Sequence, residues 1–269
     1  MPIHLPLWDT MPRASSEDNF DPFIDVYPAP GKNAAGCVLI CPGGGYGGRA
    51  AHEGEPIAQA YNDHGLTAAV VHYRVSPNRH PAPLLDVSRA IRLLRKNASQ
   101  WKVCPDKIAV LGFSAGGHLA ATSGVFYDSP DLKGHDELPF SNRPDALILC
   151  YPVITSEPPF AHQGSYKNLL GQDADTAARA RMAPDQHVSA DTPPTFLWHT
   201  AEDAGVPPEN SMLFAMSLSR HKIPYELHVF PEGRHGLGLA PENAHTAQWH
   251  ALSVKWLKHI QAFPSSSDE

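Results

Sequence analysis

Along most of its length the chain repeats one rhythm: a short apolar run, a turn rich in small residues, then a longer stretch with apolar positions three to four residues apart. FIDVY (23–27) alternates apolar and polar positions, as a half-buried strand does, whereas CVLIC (37–41) has no polar gap and reads as a strand buried on both faces. TAAVVHY (67–73), KIAVLG (107–112), ALILCYPV (146–153), TFLWHT (195–200) and YELHVF (225–230) are further strand expectations. PLLDVSRAIRLLRKNA (83–98) places Leu84, Val87, Ile91 and Leu94 on one helical face, and Gly65 suits the end of an earlier helix. Another helix follows Ser114 and carries Leu119 and Ala120; two more are expected from about Pro208 to His221 and from about Thr246 to Ile260. Strands alternating with helices predict an α/β fold, with a mostly parallel central sheet and helices on both faces.

No internal repeat or linker divides the chain, so residues 1–269 read as a single α/β domain behind a Pro-rich, polar N-terminal arm. Residues 154–194 break the rhythm with Pro, Gly and charge between two strands. A segment of that length is read either as a lid or pocket wall or as a passive surface excursion.

Composition narrows the function. With 42% hydrophobic and 18% charged residues the chain is globular, and a formal charge of −7 argues against a surface that tracks phosphates, so nucleic acid is not an expected partner. Cys37, Cys41, Cys104 and Cys150 lie in or beside apolar runs and read as buried free thiols. The first residues lack a basic segment followed by an apolar one, and no stretch has eighteen apolar residues in a row. The expectation is a cytoplasmic protein without membrane attachment. HEGEP (52–56) is not H-E-x-x-H and no C-x-x-C pair occurs, so neither a metal nor another cofactor is expected. A homo-oligomer remains open.

The chemistry gathers around LGFSAGGHLA (111–120), where Gly112-Phe113-Ser114-Ala115-Gly116 spells G-x-S-x-G between a strand and a helix. Small residues there permit a strained turn and a close approach to the hydroxyl. A plain glycine turn and a phosphate loop compete with this reading, but the phosphate-loop signatures are absent. The cluster CPGGGYGG (41–48) also follows a strand and offers backbone N–H groups unobstructed by side chains, which suits an oxyanion hole. A serine nucleophile needs a base and the base an orienting acid. His235 lies just after YELHVF and Asp203 just after TFLWHT, both at the sheet edge expected for Ser114, in the chain order Ser, Asp, His. Glu202 is the rival acid, and His118 reads as a packing or hydrogen-bonding residue. Tyr46 and Tyr151 are candidate substrate contacts that could stack on a sugar ring, whereas Trp198 suits the core.

Taken together, PGGGYGG (42–48), HYRVSP (72–77), IAVLGFSAGGHLA (108–120) and residues 192–239 resemble the α/β-hydrolase superfamily. Within it they look most like acetyl xylan esterases and feruloyl-esterase-like carbohydrate esterases, close to the hormone-sensitive-lipase and prolyl-oligopeptidase branches. The resemblance implies Ser114 as nucleophile, His235 as general base, Asp203 as its orienter, and an oxyanion hole from Gly44, Gly45 and Ala115. Where many relatives have His before the three glycines this chain has Pro42, as the acetyl-esterase-like members do, which argues against a lipase. The expected substrate is a small-molecule or oligosaccharide ester, with acetyl on xylo-oligosaccharide first. A feruloyl or small aryl ester is an alternative, a prolyl-oligopeptidase-like peptidase another. The peptidases usually carry a gating domain for which the chain leaves no room. An inactive binding module is the reading outside catalysis.

Overall fold

The computed structural model describes residues 2–10 and 20–267. Residues 11–19, part of the N-terminal arm, lie outside the described residues. Eight strands form one sheet in the order β1-β2-β4-β3-β5-β6-β7-β8. They are β1 (Ile3–Pro6), β2 (Phe23–Tyr27), β3 (Ala35–Cys41), β4 (Thr67–His72), β5 (Val103–Phe113), β6 (Ala146–Cys150), β7 (Thr195–Thr200) and β8 (Tyr225–Phe230). From β4 to β8 every pair is parallel, while β2 runs antiparallel to β4 and to β1.

The gapless apolar strands are explained by what covers them. In β3, Cys37, Leu39 and Cys41 point into one core cluster and Val38 and Ile40 into the other; in β6, Leu147 and Leu149 oppose Ala146, Ile148 and Cys150 in the same way. Each face is closed by helices with a single apolar stripe. Leu84, Val87, Ile91 and Leu94 of α2 (Ala82–Lys96) and Phe214 and Leu218 of α7 (Glu209–Arg220) seal the first face. Ile57, Ala58 and Tyr61 of α1 (Glu55–Asp63) join Trp249 and Val254 of α8 (Gln248–Lys255) on the second. The short α3 (Ala98–Trp101) turns the chain into β5. Helix α4 (Ala115–Val125) has no polar side: residues 115–124 are all buried, so its Gly, Ala and Ser positions reflect close packing over the middle of the sheet.

Strand β6 ends at Cys150 rather than 153 and β5 begins at Val103 rather than 107, and two further elements depart more from the expectations. The N-terminal arm begins as β1, whose Ile3 to Pro6 pair with Val26 to Phe23. Its four residues, mostly exposed, are too short a run to reveal a strand that pairing creates. The closing helix runs as α8 only to Lys255, then widens into a π-type turn over Trp256–Ile260. Residues 154–194 contain α5 (Gln163–Leu170) and α6 (Thr176–Ala180), and Tyr166 and Met182 pack with Val153 and Val206 in a small cluster of their own.

Candidate active site

The carboxyl ends of β3, β5, β7 and β8 each deliver one piece of the site. Strand β5 ends at Phe113, and Ser114 takes φ 53°, ψ −118° before α4 starts. Such a conformation costs about 1–3 kcal/mol in a non-glycine residue and persists only where its surroundings hold it. Here the Ser114 N–H donates to Cys150 O at 3.0 Å, and its carbonyl accepts from His118 N at 3.1 Å and Val153 N at 3.0 Å. The neighbouring glycines are obligatory on steric grounds: a Cβ on Gly112 would strike the Gly116 carbonyl, and one on Gly116 the Cys41 carbonyl.

From this turn a hydrogen-bonded line leads back to the acid. Ser114 Oγ lies 2.8 Å from His235 Nε2, and His235 Nδ1 lies 2.6 Å from Asp203 Oδ2. With Nδ1–H donating to the carboxylate, Nε2 is left to accept the serine proton, which is the tautomer a general base needs. Asp203 is itself held from several sides: Oδ1 accepts from Gly205 N and Val206 N, both at 2.9 Å, and His199 Nε2 stands 3.3 Å from Oδ2. Burial pushes the Asp203 carboxyl upward. The bonds from His199, His235 and Val206 outweigh that and hold it well below the ordinary carboxylate range, so it stays ionised. The rival Glu202 is exposed and accepts from Gly233 N at 3.1 Å, outside the line.

The glycine loop after β3 presents its amides through the planarity of the peptide. Gly43 O accepts from Ala50 N at 2.9 Å, and Gly44 O accepts from Gly47 N at 3.0 Å and Gly48 N at 3.1 Å. In a trans peptide the N–H points opposite to the C=O, so these bonds aim the N–H groups of Gly44 and Gly45 away from their carbonyls' partners. The bonds to Ser114 O do the same for Ala115 N–H. Among the described residues nothing takes any of these three N–H groups. Gly44 (φ 132°) and Gly45 (φ 63°) occupy backbone conformations that L side chains rarely adopt.

Segment 154–194 braces this loop: Asn168 Nδ2 donates to Gly45 O at 2.9 Å, and His118 Nε2, 2.8 Å from Met182 O, ties α4 to the same segment. His118 is the hydrogen-bonding residue expected. Burial pulls it to about 4, so it is neutral, and its Nδ1 accepts from Tyr46 Oη at 2.8 Å.

The expectation for the two tyrosines is corrected. Tyr46 and Tyr151 are 1% and 2% exposed, with hydroxyls bound to His118 and to Glu53, so neither ring face is open for a sugar to stack on. Both residues have positive φ, 59° and 37°, and sequence spacing does not reveal their inward placement. Trp198 is fully buried and stacks on Trp249. Sequence reasoning also misses His199, one of sixteen histidines, and Glu53, which nothing distinguishes within HEGEP. Only their burial, at 0% and 2% exposure, singles them out. Among the described residues no group of three or more His, Cys, Asp or Glu is placed to hold a metal ion, and no helix is long and apolar enough to cross a membrane.

Residues 24–218, from β2 through most of α7, match the family described as BD-FAE; His235 lies beyond the matched segment. Over 96% of both chains the protein is similar to an acetyl ester-xyloside bifunctional hydrolase from Caldicellulosiruptor lactoaceticus, at 46% identity and a TM-score of 0.90. A carboxylesterase from Lactobacillus plantarum aligns at 28% identity and a TM-score of 0.78, over 94% of this chain and 98% of that one. Among curated proteins, endo-1,4-beta-xylanase B of Butyrivibrio fibrisolvens is 40% identical over 76% of this chain, and an acetylxylan esterase of Xylanibacter ruminicola 28% identical over 86%. The aligned regions make up 33% and 47% of those two relatives, so the chain spans a third to about half of their length. The family model covers well over half of the chain and solved hydrolases share its fold, so it belongs to the BD-FAE family, within the α/β-hydrolase superfamily.

Proposed function

We propose that the protein is a serine esterase that removes short acyl groups, acetyl first, from xylo-oligosaccharides or related carbohydrates. The observation that carries this reading is the line Ser114–His235–Asp203 beside three unengaged N–H groups. Ser114 Oγ attacks the ester carbonyl while His235 Nε2 takes its proton, and the Gly44, Gly45 and Ala115 N–H groups receive the developing oxyanion. The C–O bond to the sugar breaks as His235 returns the proton to the alcohol. Water, deprotonated by the same nitrogen, then attacks the acyl-serine and releases the acid. No step requires a cofactor.

The carbohydrate part of the reading draws on the hydrolase and the esterase to which the chain is similar, whose names join acetyl esters to xylan or xyloside. Residues 154–194 are proposed as the pocket wall, since Asn168 reaches the glycine loop directly. Four free cysteines, three of them buried, fit a reducing compartment such as the cytoplasm, with a soluble oligosaccharide as substrate.

Acetate release from acetylated xylo-oligosaccharides, with Ser114→Ala protein as the blank, tests the proposal. Release by the native protein alone is expected. Equal release by both proteins sinks the serine mechanism, and no release from sugar esters alongside hydrolysis of aryl acetates or feruloyl esters moves the substrate elsewhere.

A further inference from the structure

Glu53 is a buried carboxylate that the mechanism above leaves unused. It is 2% exposed, and among the described residues its only ion-pair neighbour is His52, with Nε2 3.7 Å from Oε1. Burying a carboxylate without a close cation is unfavourable unless hydrogen bonds satisfy it. Two donors do so: Gly43 N–H at 2.8 Å on Oε2 and the Tyr151 hydroxyl at 2.7 Å on Oε1. Tyr151 Oη in turn accepts from Gly238 N–H at 2.8 Å. Because the amide of Gly238 can only donate, the phenolic hydrogen is free for Glu53, and the direction of every bond in the chain is fixed. Burial first, and then the charge of Glu53, hold the Tyr151 phenol well above its ordinary 10, so it remains a donor.

The places this chain joins give it a meaning beyond packing. Gly43 opens the glycine loop after β3, while Gly238 lies in the loop after β8 that carries His235. In the sheet, β5, β6 and β7 separate β3 from β8. Tyr151 stands after β6, between them, and its ring meets the His235 ring edge-on with centroids 5.1 Å apart. Space at Gly43 is fitted to the link, since a Cβ there would come within 2.7 Å of Glu53 Oε2. A second bond crosses the same gap, with His52 Nε2 3.0 Å from Gly236 O.

We propose that Glu53 and Tyr151 are positioning residues of the ester hydrolysis, a buried strut that sets the oxyanion-binding glycine loop and the loop of the general base at a fixed separation across Ser114. The role rests on the Ser114–His235–Asp203 reading. Its physical basis is that both halves of the transition state, the oxyanion at Gly44 and Gly45 and the protonated ring of His235, must be met at once. Loops on distant strands drift relative to each other unless something couples them.

The test compares native protein with Glu53→Gln, Tyr151→Phe and the double variant, using p-nitrophenyl acetate as substrate and a fluorophosphonate to count reactive Ser114 sites. Counting sites confines the comparison to folded protein, and Glu53→Gln, which keeps an acceptor for Gly43, serves should Tyr151→Phe fold poorly. Positioning predicts that kcat per labelled site falls about 10- to 100-fold while KM stays within about threefold. It also predicts that the double variant loses no more than the worse single variant, because the two residues act as one unit. A kcat per site within twofold of native in both single variants, with only thermal stability lowered, overturns the proposal, as do losses that multiply in the double variant. Native protein that turns over substrate without labelling at Ser114 overturns the serine reading itself and the strut with it.

Discussion

Ser114 sits in a backbone conformation that a free chain avoids, and it is held there by the bonds to Cys150, His118 and Val153. The strain lifts Oγ out of the turn to meet His235, which is why a single oxygen can be removed without disturbing the scaffold. Ser114→Ala is expected to lower kcat/KM by about a thousandfold or more, with an unchanged circular dichroism spectrum. Asp203→Asn keeps the shape of the acid but loses the charge that holds the His235 tautomer; on the proposed mechanism kcat should fall by roughly 10⁴, measured on an aryl acetate. Gly116→Ala behaves differently, because its Cβ would strike the Cys41 carbonyl and force α4 off the sheet. That variant should lose thermal stability and phosphonate labelling together, whereas retention of both would contradict the close packing.

Among the elements, α2 is tied to the segments after β1 and β4 by a buried ion pair. Arg74 (2% exposed) and Asp86 (fully buried) meet at 2.7 Å, and Asp86 Oδ1 also accepts from Trp8 Nε1 at 2.8 Å. Removing the carboxylate breaks a buried, multiply hydrogen-bonded ion pair, so Asp86→Ala should destabilise the fold by about 3–5 kcal/mol in urea unfolding while kcat per labelled site stays near native. The periodic elements are legible in the sequence: the strands at 23–27, 195–200 and 225–230 have the expected bounds, and α2 and α7 differ by one or two residues. Strand β1 is not, since an exposed four-residue segment acquires its conformation from the partner strand rather than from its own pattern.

For the molecule as a whole, burial of histidine makes stability depend on pH. Burial holds His118 and His250 at about 4 instead of the ordinary 6.5, and both therefore fold neutral. The unfolded chain takes up these protons near pH 6.5 but the folded one only near 4, so the contribution of these two groups to stability is complete above 6.5, falls as pH drops from 6.5 toward 4, and levels off below. Each group contributes a slope of up to about 1.4 kcal/mol per pH unit in that window. Urea midpoints measured across it should decline steeply in native protein and less so in His250→Gln, where identical slopes would contradict the assignment.

By itself the amino-acid sequence determined the layered α/β architecture, because periods of two and of 3.6 are local properties that each segment expresses wherever it lies. It also supplied Ser114, Asp203 and His235 as candidates, since each follows a strand whose end must lie on the same edge of a parallel sheet. Only the tertiary structure set Asp203, and not Glu202, within hydrogen-bond distance of His235, turned Tyr46 and Tyr151 inward, and brought Glu53 and His199 beneath the site. Those outcomes depend on side-chain direction and on contacts between residues as far apart as 53 and 151. Distance in space, unlike periodicity, is written in no single segment of the chain.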